Sequence, residues 1–140
     1  MRRVPRRSSG PSTGKQVVLD SSALLCLLNG ETGAARFVLA LPSAVIGAVN
    51  LAEVVTKLRE RGLSMEEVDE ALGGLHLDVH PLSSAQANAT GHLRPATRAQ
   101  GLSLGDRACL AVAAELGAMV LTADQAWADV DAGVDVELIR

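Results

Sequence analysis

Short apolar runs that end on or near a single carboxylate recur along this chain, and they constrain its fold more than any other feature. Val17-Val18-Leu19 runs into Asp20, Val45 to Val49 is followed by Asn50-Leu51-Ala52-Glu53, and Val120-Leu121-Thr122-Ala123 closes on Asp124. A further acid, Asp106, opens the helix-like segment Ser103-Leu104-Gly105-Asp106. Apolar runs this short, bounded by turn and cap residues, fit strands buried on both faces, which is the situation in a parallel sheet covered by helices.

The segments between the runs have helical character. The pattern predicts strands at Val17 to Asp20, Ala44 to Val49, Leu75 to Val79 and Ala118 to Thr122, with an edge strand at Val134 to Ile139. It predicts helices at Ser21 to Leu28 (stopped by Asn29-Gly30), Thr32 to Leu41, Asn50 to Arg61, Ser64 to Leu72 and Ser83 to Thr97 (broken near Gly91 and Pro95). Ser103 to Leu116 and a short Gln125 to Val130 follow. Ser64-Met65-Glu66-Glu67 has the form of a capping box, and Gly62 and Gly117 serve as helix stops. Alternation of this kind predicts a three-layer α/β/α sandwich on a mostly parallel sheet of four or five strands. A chain of 140 residues supports one such domain, and 48% apolar content supplies its core. The core is aliphatic, since Phe37 and Trp127 are the only aromatics.

Charge is distributed unevenly. Residues 1–15 carry five basic residues and no acid, whereas residues 16–140 carry a net charge of −8. Residues 1–16, rich in Arg, Ser, Pro and Gly, read as a disordered basic tail, and residues 17–140 as the folded domain. Gly10 to Gln16 is one residue short of a phosphate loop, has Gln16 after Lys15, and precedes the first strand instead of following it, so nucleotide binding there is rejected. The acidic body is not built to coat a polyanion by charge alone. No apolar stretch reaches membrane-span length, no apolar signal core follows the N-terminal arginines, and Cys26 and Cys109 lack metal-ligand spacing. The reading is a non-membrane protein of the cytoplasm with two inert, buried thiols.

In open parallel sheets, ligands bind beyond the carboxyl ends of the strands. The placement of Asp20, Glu53, Asp106 and Asp124 therefore brings them to one edge. Two carboxylates 4 Å apart repel by about 4 kcal/mol at an effective dielectric of 20. Protonation or a bound cation relieves this, and an all-oxygen donor set favours Mg²⁺ or Mn²⁺ over zinc. The competing reading is structural. Asp20 and Asp124 stand where helix caps stand, and Asn50-x-x-Glu53 and Ser103-x-x-Asp106 have capping-box spacing. Caps explain each acid singly, but not the set of four in this order.

The stretch Val17-Val18-Leu19-Asp20-Ser21-Ser22-Ala23-Leu24-Leu25 resembles the opening of PIN-domain nucleases. Val49-Asn50-Leu51-Ala52-Glu53-Val54, Ser103-Leu104-Gly105-Asp106-Arg107-Ala108-Cys109-Leu110-Ala111 and Leu121-Thr122-Ala123-Asp124-Gln125-Ala126-Trp127 match its later pieces in order and spacing. The nearest resemblance is to VapC-type toxins of bacterial toxin–antitoxin pairs. It implies a PIN-like fold, an Mg²⁺- or Mn²⁺-dependent endoribonuclease, a homodimer, and a cognate antitoxin that plugs the active site. It also implies that Asp20, Glu53, Asp106 and Asp124 are catalytic, with Asp20, Asp106 and Asp124 on the metal. Ser21, Thr122 and Asn50 become supporting polar groups, Asn50 orienting Glu53. The alternative is a catalytically silent PIN-like module that binds partners.

Other residues carry less. A phosphatase of the dehalogenase type needs a second Asp where Ser22 stands, and a receiver domain needs an Asp where His80-Pro81 stands. His76 and His80 are expected on one strand face, two steps apart. Arg94, Arg98 and Arg107 are candidate RNA contacts, because guanidinium pairs bidentately with phosphate oxygens. Lys57, Arg59 and Arg61 end a helix, where cations also suit the dipole, and are further candidates for RNA contact.

Overall fold

The computed structural model describes residues 16–139. The expectation of a disordered tail over residues 1–16 lies outside them, apart from Gln16. Five strands form one sheet in the order β3-β2-β1-β4-β5: β1 (Val17–Leu19), β2 (Ala44–Gly47), β3 (Asp78–His80), β4 (Met119–Thr122) and β5 (Val136–Leu138). Every neighbouring pair is parallel. The central strand β1 pairs Leu19 with Ile46 on one side and with Leu121 on the other. All five strands therefore point their carboxyl ends the same way.

The helices are α1 (Ser21–Asn29), α2 (Ala34–Ala40), α3 (Ala48–Glu60), α4 (Met65–Gly73), α5 (Ser84–His92), α6 (Arg94–Thr97) and α7 (Leu104–Leu116). The period-2 alternation of the strands sorts the core into layers. Val18, Val45 and Val120 pack with Cys109, Leu110, Val112 and Trp127, on the α7 side. Val17, Leu19, Ala44 and Leu121 pack with Ala23, Cys26 and Phe37, under α1 and α2. Ile46 continues that second face towards Val54, Leu58 and Val68 of α3 and α4. The result is the three-layer α/β/α arrangement read from the sequence. Among the described residues, no single helix is long and apolar enough to cross a membrane.

Several boundaries differ from the sequence reading. The apolar run Ala44 to Val49 is split: the strand ends at Gly47, which takes an extended backbone and acts as N-cap, and α3 starts at Ala48. Asn50 is thus the third residue of α3 and cannot be its cap, so Asn50-x-x-Glu53 is not a capping box. The strand expected at Leu75 to Val79 begins only at Asp78, because His76 adopts φ 51° in the preceding turn. His76 and His80 therefore do not share a strand face. Segment 83–97 divides at Leu93 into α5 and α6, and the expected helix from Gln125 is a single 3-10 turn, Gln125–Trp127.

Candidate active site

The site is assembled at the carboxyl end of the sheet, beginning with Asp20. This residue follows the central strand and caps α1, its Oδ1 accepting from Ala23 N at 2.8 Å. It is 2% exposed, so its charge must be satisfied internally. Ser22 Oγ donates to it at 2.8 and 3.0 Å, and Thr122 Oγ1, from the end of β4, donates to Oδ2 at 2.6 Å. Ser22 Oγ in turn accepts from Ala123 N at 2.9 Å. Burial pushes the Asp20 carboxyl up to about 6, against the pull of its Thr122, Ala23 and Ser22 partners, and the charge of Asp106 pushes the same way.

Glu53 is fixed by a second network, spread over three helices. Ser21 Oγ, in the first turn of α1, donates to Glu53 Oε1 at 2.5 Å. Asn50 Nδ2 reaches Glu53 Oε1 at 3.1 Å, Ser21 Oγ at 3.2 Å and the carbonyl of Gly105 on α7 at 3.1 Å. Asn50 is 1% exposed, and its Oδ1 is buried without a hydrogen-bond partner. The three residues expected to support the acids thus divide their work: Thr122 serves Asp20, while Ser21 and Asn50 serve Glu53.

Asp106 and Asp124 are held locally. Asp106 completes a capping box with Ser103, its Oδ2 accepting from Ser103 N at 3.0 Å while Ser103 Oγ accepts from Asp106 N at 3.1 Å. Burial raises the Asp106 carboxyl above the ordinary range, opposed by the Ser103 bonds and reinforced by the charges of Asp124 and Glu53. Asp124 caps the 3-10 turn, its Oδ1 accepting from Ala126 N at 2.9 Å.

All four acids line one open cleft of ≈ 450 Å³, together with Ser21 and Ser22. One flank is apolar, formed by Leu25, Val49 and Ala52, and Lys57 stands on the rim. The oxygen donors in the lining are four carboxylates and the hydroxyls of Ser21, Ser22 and Thr56, all hard oxygens of the kind that magnesium and manganese take. The buried, mutually repelling charge of Asp20 and Asp106 fits a cation on chemical grounds. Among the described residues, however, no three or more His, Cys, Asp or Glu side chains are closed into a metal site as they stand. Asp106 and Asp124 instead accept from the backbone amides of Ser103 and Ala126.

A family model described as PIN domain matches residues 17–133. The chain belongs to the PIN domain family. No curated protein matches it. Solved PIN domains share its fold. The DNA-bound VapBC of Salmonella typhimurium has a TM-score of 0.68 at 21% identity, covering 89% of this chain and 98% of that one. VapC20 of Mycobacterium tuberculosis, a toxin that cleaves the sarcin-ricin loop, gives 0.64 at 14% identity over 86% and 99%. A toxin–antitoxin complex from Klebsiella pneumoniae gives 0.66 at 19% identity over 82% and 92%.

The arginine, histidine and cysteine candidates of this PIN domain fall outside the cleft lining. Arg107 donates from Nη1 to the carbonyl of Thr90 at 3.1 Å and has a buried Nε, so it works as a strut between α7 and α5. Arg94 Nη1 reaches the carbonyl of Leu102 at 3.5 Å, and Arg98 is exposed. His80 Nε2 lies 3.1 Å from Glu115 Oε2, well away from the acids in the fold, on β3 and α7. Cys109 is fully buried. Burial raises its thiol well above the ordinary value, with Asp20, Asp106 and Glu53 adding to it, so it remains a protonated core group. Two residues escape the sequence reading, while Lys57, a helix-end cation and candidate RNA contact, lines the cleft. Ser22 carries two bonds to Asp20 but stands where an ordinary helix-start serine would. Gly105 had no signal beyond its place beside Asp106.

Proposed function

We propose that this PIN domain is a divalent-metal-dependent endoribonuclease that hydrolyses RNA phosphodiesters in the cytoplasm and arrests growth as the toxin of a toxin–antitoxin pair. The observation that carries the reading is the convergence of Asp20, Glu53, Asp106 and Asp124, from four separate elements, on one cleft beyond the strand ends of a PIN fold. Asp20, Asp106 and Asp124 would hold Mg²⁺ or Mn²⁺, with Glu53 completing the acidic wall. Such an ion neutralises phosphate charge and lowers the pKa of water at neutral pH. The chain's own contribution is fixed charge. Thr122 and Ser22 orient Asp20, and Ser21 and Asn50 orient Glu53. Glu53 would take a proton from the attacking water.

The toxin role draws on the VapBC and Klebsiella complexes whose fold the chain shares. A cognate antitoxin would place a basic side chain, an Arg, into the cleft, because a guanidinium is planar, permanently charged and matched to carboxylates. A homodimer accompanies that assembly. The rival, a silent partner-binding module, rests on the caps: every acid already has a hydrogen-bond partner. Induced expression with and without the neighbouring gene, followed by mapping of cleaved RNA ends, separates the two. Growth arrest with new RNA ends, relieved by the neighbour, is expected; arrest without new ends contradicts the nuclease reading.

A further inference from the structure

Gly105 is the second residue of α7, and its backbone is not among those with positive φ. The conformation there does not require glycine, and glycine weakens a helix relative to alanine. A residue chosen for α7 alone would carry a methyl group. Gly105 is also buried, so it is not a solvent-facing position indifferent to side-chain choice.

The three nearest atoms to a Cβ at this position all belong to Glu53: Cδ, Oε1 and Oε2, each at a distance no real Cβ tolerates. The missing side chain is thus the space in which the Glu53 carboxylate sits. The same residue's carbonyl accepts from Asn50 Nδ2 at 3.1 Å, and Asn50 Nδ2 also reaches Glu53 Oε1 at 3.1 Å. Gly105 therefore bounds Glu53 by its absent Cβ and anchors, by its carbonyl, the amide that holds Glu53. Its chain neighbour is Asp106, so the approach of α3 to α7 here also sets the spacing between two of the acids.

We propose that Gly105 is a positioning residue for Glu53, seating that carboxylate against the first turn of α7, where it gives outer support to a cation held by its chain neighbour Asp106. The metal half of this statement rests on the nuclease reading; the contact half does not.

Four proteins test it: the full chain, Gly105→Ala, Glu53→Ala and the double variant, each melted in chelator and titrated with Mn²⁺ alone. Gly105→Ala lowers the melting temperature when Glu53 is present and raises it in the Glu53→Ala background, where the better helix residue meets no carboxylate. If Gly105→Ala alone does not fold, recovery of folding in the double variant is the same inversion. Mn²⁺ affinity falls about tenfold or more with Glu53 present, the scale of losing a ligand's outer support, and is unchanged between Glu53→Ala and the double variant. A melting shift of the same sign in both backgrounds overturns the contact. Mn²⁺ affinity unaltered by Gly105→Ala overturns the positioning role. Failure of the unaltered chain to bind Mn²⁺ overturns the metal reading, and the melts then decide the contact alone.

Discussion

Asp20 and Glu53 add long-range bonds to their local ones, whereas the bonds of Asp106 and Asp124 come from their own turns. The partner of Asp20 on β4, Thr122, is 102 residues away in the chain, and Ser21 is 32 residues from Glu53. Asp106 and Asp124 bond amides three and two residues away. One pair is thus fixed by the tertiary fold and cannot move without disturbing the sheet ends and three helices. The other pair gives up only a cap when it turns. A cleft built this way has a rigid half set by the tertiary fold and a releasable half set by caps. The difference also separates cost from function: Asp20, in the rigid half, is the most deeply buried of the four acids, and the releasable half is cheap to disturb.

The largest expected effect lies in that buried charge. Asp20 ionises near pH 6 in the fold against 3.8 ordinarily. A raised carboxyl pKa means that the folded state holds the proton more tightly, so stability is full below about pH 4 and falls as pH rises through 6. The loss is about 3 kcal/mol in chelator, and the raised Asp106 carboxyl adds to it with the same sign. Denaturant melts across that range should show this limb, flattened by Asp20→Asn and offset above pH 6 by Mn²⁺. Constant stability from pH 4 to 7 in chelator would erase the contrast between the halves.

Thr122→Val comes next. It strips a buried donor from Asp20 while keeping shape, and should cost about 2 kcal/mol with a clear loss of RNA cleavage. Ser103→Ala, its counterpart on the releasable side, should cost about 1 kcal/mol and leave cleavage near normal. Equal losses of cleavage in the two variants would mean that the caps matter as much as the long-range bonds. The smallest effect is expected from replacing Cys26 and Cys109 with Ala. Both thiols are buried, and cleavage should persist; loss of cleavage with an intact fold would reveal thiol chemistry.

The same contrast governs what the sequence made legible. The locally held acids announced themselves, since Ser103-x-x-Asp106 is a capping box in sequence and in structure, as is Ser64-x-x-Glu67. The strand order of alternating runs predicted the layers. The groups that make the long-range bonds, Ser21, Asn50 and Thr122, are legible only through the family resemblance. Nothing adjacent to Ser22 indicates that its hydroxyl bonds both Asp20 oxygens, and nothing near Gly105 indicates a carboxylate from 52 residues earlier. The start of α3 was misplaced because Ala48 and Val49 suit a strand by composition, and only the extended Gly47 decides the break. The onset of β3 was misplaced because His76 takes a left-handed backbone that its neighbours do not foretell.

The most direct test of the central claim is RNA cleavage by Asp106→Asn with added Mg²⁺ or Mn²⁺, set beside its melt in chelator. Asparagine preserves the oxygen that accepts from Ser103 N, so the capping box survives and the melting temperature should hold or rise as one charge leaves the cluster. Cleavage should fall by at least about a hundredfold, the scale of removing one electrostatic group from a reacting centre. Near-normal cleavage by a normally folded Asp106→Asn would contradict the account, because Asp106 would then be a cap and nothing more.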